Sequence, residues 1–243
     1  MTLTRKIVLR DAAPLVGTEI AVYVDGRATE LTDGYTFGMG RVFLPSGSSS
    51  VTVEWGDGRS DIFTATTASF THVYKRVGVY RIRVSDDITS IAATGTTNEL
   101  FLNVYPSMIR EVRSTSTKII TIPRTAFANA CNLRYVDFRD SSITALAPGA
   151  FSGCSGLTTL KGFSKIEKLY STVFAGCTGL PERVCLPGVK DIQASVDYSP
   201  FLRTNIKEFH FAAINEAAIK SLRLYQDTNG NFGVQGGVCI FDL

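Results

Sequence analysis

The sequence lacks the features that mark several large classes of protein. No apolar run approaches the roughly 18 residues that a membrane-spanning helix needs, and the candidate stretch near the start is interrupted by Gly17, Thr18 and Glu19. The charge is almost balanced, with 25 basic and 22 acidic residues, and basic residues do not cluster beyond pairs such as Arg5 and Lys6. Nucleic-acid-binding proteins carry denser basic patches. We therefore expect no membrane insertion and no nucleic acid as a partner.

The motifs of metal, redox and catalytic sites are missing as well. The five cysteines are an odd number, form no C-x-x-C pair and lie outside metal-ligand spacing of His72 and His210. The sequence has no G-x-S-x-G, no phosphate-binding loop, no dinucleotide fingerprint and no H-E-x-x-H. The expectation is a protein that is not an enzyme, with no catalytic residue, no cofactor and no metal.

The first part of the chain alternates short apolar runs with turn residues. Asp25-Gly26 and Asp57-Gly58 are dipeptides that supply positive φ in tight hairpin turns. Strands spaced this regularly predict a β-sandwich, here over residues 1–105. The predicted strands are Ile20–Val24, Val51–Trp55, Phe70–Tyr74, Val79–Val84 and Leu100–Tyr105.

Three linked motifs in this region resemble the polycystic-kidney-disease (PKD) domain family. They are V-E-W-G-D-G at residues 53–58, F-T-H-V-Y at residues 70–74, and V-G-V-Y-R-I-R-V at residues 77–84, where Val77 replaces the usual proline. The resemblance implies an immunoglobulin-like β-sandwich that acts as a spacer or binding module without a catalytic role.

Three side chains of these motifs have alternative interpretations. Trp55 is predicted to be a core residue between two sheets. Asp57 is interpreted as a turn residue that bonds its own backbone, with binding of calcium or of a sugar hydroxyl as the alternative. His72 is interpreted as a hydrogen-bonded structural histidine beside Tyr74 rather than a general base, because no Ser, Cys or paired carboxylate has the matching spacing.

The second half of the chain repeats itself. Residues 126–133, 150–157 and 173–180 share a Phe…Cys…Leu pattern, and their cysteines recur every 23 residues, which is the period of a leucine-rich solenoid. A single coil cannot bury its own apolar face, so equivalent side chains of neighbouring coils should stack. We expect one ladder of Phe127, Phe151 and Phe174. A second ladder should bury Cys131, Cys154 and Cys177 as small apolar groups rather than redox or metal groups.

The pattern A-F-x-G-C-x-x-L resembles the bacterial leucine-rich repeat family called BspA-like, which occurs in bacterial surface proteins and in phage-encoded proteins. The second copy matches it throughout and the third from Phe174 onward, with Val173 at the first position, whereas the first copy has Ala130 in place of the glycine and is interpreted with one inserted residue. The resemblance implies a solenoid, here over residues 106–205, that adheres to or binds a partner.

Residues 206–243 are predicted to cap the solenoid, because the open end of a repeat array needs a cover. The expected elements are a strand at Ile206–Phe211, a helix-like stretch in which Ile214, Ala218, Leu222 and Tyr225 share a face, a turn at Asn229-Gly230, and a final strand at Gly237–Phe241. The predicted fold class is therefore mainly β: an immunoglobulin-like β-sandwich followed by a short leucine-rich-repeat solenoid with an α/β C-terminal cap.

Two resemblances to adhesive modules favour a non-catalytic structural or binding protein. Residues 1–11 lack the apolar stretch of 7–15 residues that a secretory signal needs, so the chain as given is not addressed for export. We expect a phage virion component, such as a head decoration, tail or fibre-associated protein. Its partners would be other virion proteins, or else a protein or glycan of the host surface. Association of the chain with itself as a homo-oligomer is an open alternative. A bacterial cell-surface adhesin is the alternative.

A carbohydrate-active enzyme is the third hypothesis. Glycosidases require two carboxylates that face each other across a groove, and the nearest candidates are Asp137 with Asp140 and Asp86 with Asp87.

Candidate partner-binding residues lie in or next to two short strands predicted in the solenoid, at residues 135–138 and 157–160. Exposed tyrosine and arginine are the usual anchors of interfaces. On this ground the sequence suggests Arg134, Tyr135, Arg139 and Lys161.

Overall fold

The structure is a computed structural model that describes residues 15–24, 35–39, 50–64, 70–85, 106–193, 198–211, 225–226, 232–233 and 238–241. These residues are mainly β, with two 3-10 turns at Pro106–Met108 and Phe163–Lys165 and no α-helix among them. None of their helical turns is long and apolar enough to cross a membrane. The strands are β1 Thr18–Val24, β2 Tyr35–Met39, β3 Ser50–Glu54, β4 Ser60–Thr64, β5 Phe70–Tyr74, β6 Gly78–Val84, β7 Ile109–Ser114, β8 Thr121–Ile122, β9 Tyr135–Asp137, β10 Ala145–Leu146, β11 Thr159–Lys161, β12 Lys168–Tyr170, β13 Arg183–Cys185, β14 Asp191–Gln193, β15 Glu208–Phe211, β16 Tyr225–Gln226, β17 Phe232–Gly233 and β18 Val238–Phe241.

The N-terminal region is an antiparallel sheet with a second strand pair. Strand β6 pairs with β1 and β3, β3 pairs with β4, and β2 pairs separately with β5. Four of the five predicted strands are confirmed, whereas 100–105 and the Asp25-Gly26 turn lie outside the described residues. The Asp57-Gly58 turn joins β3 to β4, with positive φ at Gly56 and Gly58. A Cβ at Gly56 would lie 2.7 Å from the Arg81 backbone, so this turn requires glycine.

An aromatic cluster joins the two strand systems of this region. Trp55 is fully buried, as predicted, and its ring stacks on His72 with centroids 4.8 Å apart. The Tyr74 hydroxyl donates to the Trp55 carbonyl at 2.9 Å, and the Tyr74 ring stacks on Tyr80 at 4.1 Å. Burial of these rings holds β5 against β3 and β6.

The C-terminal region is a solenoid of about four coils, each of which crosses three faces. One face holds the parallel strands β8, β10, β12 and β14. A second holds β7, β9 and β11 and continues as the separate parallel sheet of β13, β15 and β18. On the third face, turns are joined by backbone hydrogen bonds: the amides of Phe127, Phe151 and Phe174 donate to the next coil at 2.8, 2.8 and 2.7 Å.

The predicted phenylalanine ladder is confirmed. Phe127 and Phe151 stack with centroids 5.2 Å apart, Phe151 and Phe174 at 5.6 Å, and the stack extends to Phe201 at 5.4 Å. The interplanar angles are 11°, 7° and 13°. Beyond the repeats, Phe209 of β15 contacts Phe201 at 4.7 Å. The core is thus one continuous column shared by neighbouring coils, as solenoid packing requires.

The residue two positions after each stacked phenylalanine is in the left-handed region. Asn129, Gly153 and Gly176 have φ of 61°, 76° and 72°. Glycine adopts this conformation freely and asparagine tolerates it. The coil therefore turns at the same place in each repeat, and Asn129 stands at the glycine position of the first copy.

This alignment corrects the predicted cysteine ladder. Ala130, Cys154 and Cys177 follow the left-handed residue and are fully buried, whereas Cys131 is exposed. The first copy has no inserted residue, because its alanine fills the cysteine position and Cys131 lies one position later. The 23-residue spacing from Cys131 to Cys154 is therefore a coincidence of sequence, and the prediction that Cys131 is core was wrong.

The two regions share one sheet. Strand β1 pairs antiparallel with β6 on one side and with β7 on the other, and β7 pairs in parallel with β9. The resulting sheet has seven strands in the order β11-β9-β7-β1-β6-β3-β4. The N-terminal sheet thus covers the open edge of the first solenoid strand. The boundary between residues 105 and 106 stays a prediction, but the structure shows that β7 is paired with both regions.

The C-terminal strands agree with the predicted cap in part. Strand β15 pairs in parallel with β13 and β18, and β16 pairs antiparallel with β17 as expected of a hairpin. Of the predicted helix-like stretch, Ile214, Ala218 and Leu222 lie outside the described residues, as does the Asn229-Gly230 turn, whereas Tyr225 lies in strand β16, so its helical assignment was wrong.

Replacement of Phe151 by alanine should destabilise the protein strongly. Its ring is fully buried and stacked on both sides, so truncation opens a cavity in the middle of the column. We expect a loss of about 3–5 kcal/mol in the free energy of unfolding, measured by urea denaturation followed by circular dichroism. Ile62→Ala, at a side chain that is 71% exposed, is the control and should change stability by less than about 0.5 kcal/mol. Equal effects of the two variants would contradict the ladder.

Candidate functional site

The outer side of the seven-stranded sheet is a polar surface to which both regions contribute strands. Side chains alternate along each strand, so every second residue points away from the core. Cα pairing places Glu19 opposite Arg83 and Arg113, and places Glu111 opposite Tyr135. We call this surface the shared sheet face. Its residues are Glu19, Ala21, Tyr23, Glu54, Arg81, Arg83, Arg110, Glu111, Arg113, Tyr135, Asp137, Thr159 and Lys161, together with Arg139, which follows β9.

A network of ion pairs crosses the join between the two regions. The Arg81 Nη1 lies 2.7 Å from Glu19 Oε1 and 3.5 Å from Glu111 Oε2. Arg83 holds the other oxygen of Glu19 at 3.1 Å, and Arg113 contacts Glu111 at 3.2 Å. In the strand register, Ala21 lies between Arg81 of β6 and Glu111 of β7. The Arg81 side chain therefore reaches Glu111 across the small methyl group of Ala21.

Tyr135 is the centre of the solenoid half of the shared sheet face. The Arg113 guanidinium lies 5.0 Å from its ring centroid and the Lys161 ammonium 5.4 Å, both at cation–π distance. The Tyr135 hydroxyl donates to Asp137 Oδ2 at 2.8 Å. Arg139 holds the same carboxylate with two nitrogens, Nε at 3.0 Å and Nη2 at 2.8 Å. Such bidentate pairs are geometrically specific.

This environment fixes the charge of Asp137. The hydrogen bonds from Arg139 are the largest effect, and with the Tyr135 hydroxyl they outweigh partial burial and lower the pKa of Asp137 from 3.8 to about 2. A glycosidase acid must carry a proton near neutral pH, so Asp137 is unsuited to that role. The alternative pair, Asp86 and Asp87, lies outside the described residues.

Three of the four predicted binding residues come together, and one does not. Tyr135, Arg139 and Lys161 lie in the cluster just described. Arg134 is exposed at the start of β9, where its carbonyl accepts from the amides of Thr158 and Thr159 at 3.1 Å. That these residues bind a partner stays a prediction.

Sequence reasoning missed the part of the shared sheet face that β1, β6 and β7 form. Glu19, Arg81, Arg83, Glu111 and Arg113 were not among the predicted binding residues, because only the long-range pairing of β1 with β7 brings them together. The alternation of Arg81 with Arg83 and of Glu111 with Arg113 does carry a signal, since residues two apart in a strand share a face. The pairing of β1 with β7 has no such local signal.

The second candidate cluster, around His72, has a structural role. Asp57 Oδ1 accepts from the Arg59 amide at 3.1 Å, which confirms the predicted turn, and its Oδ2 lies 2.8 Å from His72 Nε2. Desolvation alone would raise the pKa of Asp57, but the bonds from His72 and Arg59 outweigh it and the pKa is lowered. His72 is buried and contacts Tyr74 edge-on at 4.7 Å, as predicted. The described residues contain no group of three or more side chains suited to a metal.

The cysteines divide into two classes. Cys154 and Cys177 are buried, and their thiols donate to the carbonyls of Phe127 and Phe151 at 3.1 Å each. Burial raises the pKa of Cys154 well above its ordinary value, which suppresses the reactive thiolate. Cys131 and Cys185 are exposed, and the side chain of Cys239 lies outside the described residues.

Comparison with known proteins gives one finding. A family model described as "BspA type Leucine rich repeat region (6 copies)" matches residues 99–225, which is more than half of the chain. Neither the curated proteins nor the solved structures contain a match to the chain.

The contribution of Asp137 to stability should depend on pH. Its folded pKa lies below the ordinary value, so its contribution is fully present above about pH 4 and is lost as pH falls toward 2. Asp137→Asn should lower the free energy of unfolding by roughly 1–2 kcal/mol at pH 7, and this difference should shrink between pH 4 and pH 2. Urea denaturation at several pH values measures it, with exposed Asp140→Asn as the control. A difference that is independent of pH would be incompatible with the ion pair.

Native thiol labelling should separate the two cysteine classes. With a maleimide reagent at pH 7.5, Cys131 and Cys185 should react within minutes, because their side chains are exposed. Cys154 and Cys177 should react only after denaturation. Peptide mass spectrometry assigns each site. Rapid native labelling of Cys154, or protection of Cys131, would show that the alignment of the first copy is wrong.

Proposed function

Because the chain belongs to the BspA-type leucine-rich repeat family, we propose that it is a non-catalytic binding protein whose partner is a protein that docks on the shared sheet face. Repeats of this family are typical of surface and binding proteins, and no catalytic family matches the chain. The family model describes the leucine-rich repeats and says nothing of where a partner binds. The position of the binding surface is argued from the structure.

The observation that carries this proposal is the composition of the shared sheet face. Tyrosine and arginine are the residue types enriched in the energetic centres of protein interfaces. Here Tyr23 lies under the Arg110 guanidinium at 5.3 Å, and Tyr135 lies between Arg113 and Lys161. Ion pairs hold several of these side chains in place before any partner arrives, which lowers the entropy lost on binding.

A small-molecule ligand fits this surface less well than a protein does. A depression at the edge of the face, lined by Leu15, Thr52 and Arg83 among others, encloses about 220 Å³. Pockets that bury a small ligand usually enclose about 300–1,000 Å³. A broad and shallow surface of this kind suits a macromolecule.

For the N-terminal sheet we propose a PKD-type, immunoglobulin-like sandwich. The support is the cluster in which the motif residues Trp55, Asp57, His72, Tyr74 and Tyr80 contact one another. In this proposal the N-terminal domain is a binding and spacing module, and β1 makes it rigid with respect to the solenoid.

The setting that we propose is a bacteriophage particle, with the bacterial cell surface as the alternative. The support is the combination of two module types that both resemble adhesive proteins. Immunogold labelling with an antibody against the chain tests it. Labelled particles support the virion, whereas label on the envelope of uninfected cells supports the alternative.

Binding through the shared sheet face should depend on Tyr135 and Lys161. The chain is immobilised and exposed to surface-protein and virion extracts, and retained proteins are quantified by mass spectrometry. A partner retained by the wild type should be reduced about tenfold or more by the double variant Tyr135→Ala/Lys161→Gln, because an interface anchor of this kind contributes about 2 kcal/mol.

The matched control is Lys168→Gln, an exposed lysine on β12 of another solenoid face. It should leave retention unchanged. Equal loss in both variants, or retention that neither variant affects, would place the binding surface elsewhere.

A further inference from the structure

The charges of the shared sheet face are arranged in two layers. The carboxylates of Glu19 and Asp137 are deep, with side chains 9% and 12% exposed. The guanidiniums of Arg113 and Arg139 lie above them, with side chains 42% and 58% exposed. At these positions solvent therefore meets cations first, although ion pairs neutralise part of their charge and Glu111, at 32% exposed, is nearly as accessible as Arg81 at 36%.

The face also carries more cations than carboxylates. The six cations are Arg81, Arg83, Arg110, Arg113, Arg139 and Lys161, and the four carboxylates are Glu19, Glu54, Glu111 and Asp137, with exposed Asp140 next to Arg139 as a fifth acid at the margin. Lys161 is exposed and forms no ion pair among the described residues, so its charge is available to a partner. Glu54 is the exposed acid at the margin of the face, on β3.

The cationic layer extends over both regions of the protein. Arg83 on β6 and Lys161 on β11 are separated by four strand spacings, through β1, β7 and β9. At about 4.8 Å per spacing this is about 19 Å, the length of roughly six residues of extended chain. A partner that pairs with cations along the whole layer must therefore extend from the N-terminal sheet to the solenoid.

We propose that the partner presents an acidic segment or acidic surface, about 20 Å long, that lies across the strands of the shared sheet face and contacts both regions at once. This inference rests on the proposed function and adds the chemistry of the partner. Carboxylates of the partner add a third layer of alternating charge above the guanidiniums. Tyr135 and Tyr23 supply apolar contact area between the charged rows.

Alternating charge of this kind gives specificity and fast association more than raw affinity. Exposed charge pairs are also screened by salt. Binding should accordingly weaken as ionic strength rises, and single exposed charges should each change the affinity by a small factor.

The test uses the full chain and a fluorescein-labelled oligomer of twelve glutamates as the acidic probe, followed by fluorescence anisotropy at low salt. The wild type should bind the probe, and 0.5 M NaCl should abolish binding. Lys161→Gln should weaken binding about two- to fivefold, because it removes one exposed cation. Glu54→Gln should strengthen binding about two- to fivefold, because it removes an exposed repulsive charge from the N-terminal half.

These variants change exposed side chains that form no ion pair among the described residues, so the fold should persist in each. Lys168→Gln is the matched control and should bind the probe as the wild type does. Heparin is the competing probe: tighter binding of heparin with the same dependence on Lys161 would overturn the proposal in favour of an anionic glycan.

Other outcomes also overturn the proposal. No binding of the probe, or binding that responds to neither Lys161→Gln nor Glu54→Gln, would exclude an acidic partner that bridges the two regions. If the immobilised chain still retains a protein through Tyr135 and Lys161 in that case, the binding function stands and only the acidic chemistry of the partner is wrong.

Discussion

The pairing of β1 with β7 is the constraint on which the rest of the structure depends. A parallel solenoid strand leaves a row of unpaired amides and carbonyls at its first edge, and such an edge is a template for aggregation unless it is covered. Here Thr18–Val22 supplies the missing partner, and the Thr18 and Ser114 hydroxyls meet at 3.0 Å at one end of the pair. The N-terminal sheet therefore covers the first edge of the solenoid.

The shared sheet face is a consequence of that pairing. Because β1 is placed between β6 and β7, the arginines of one region and the carboxylates of the other lie within reach, and Arg81 joins Glu19 to Glu111. Separated domains would present two small and unrelated polar patches. The small side chain at Ala21 is what allows the arginine to cross the strand between them.

Local periodicity was sufficient to predict the strands, the phenylalanine ladder and the structural roles of Trp55, Asp57 and His72, because each depends on neighbours in sequence or on a regular repeat. It failed at Cys131, where an apparent 23-residue spacing concealed that Ala130 fills the buried position. It also failed for the part of the shared sheet face that β1, β6 and β7 form. Residues such as Thr18 and Ser114 are 96 residues apart and meet only because the edge of β1 pairs with the edge of β7. No periodic pattern in the sequence predicts such a pairing.

The most direct test of this account asks whether the two regions unfold together. Trp55, the single tryptophan, reports on the N-terminal sheet, and Cys154 reports on the solenoid core when the other four cysteines are replaced by serine. Urea unfolding is followed by tryptophan fluorescence and by the reactivity of the Cys154 thiol. The shared sheet predicts one midpoint for both probes. Loss of the Trp55 signal at a lower urea concentration, with Cys154 still protected, would contradict it.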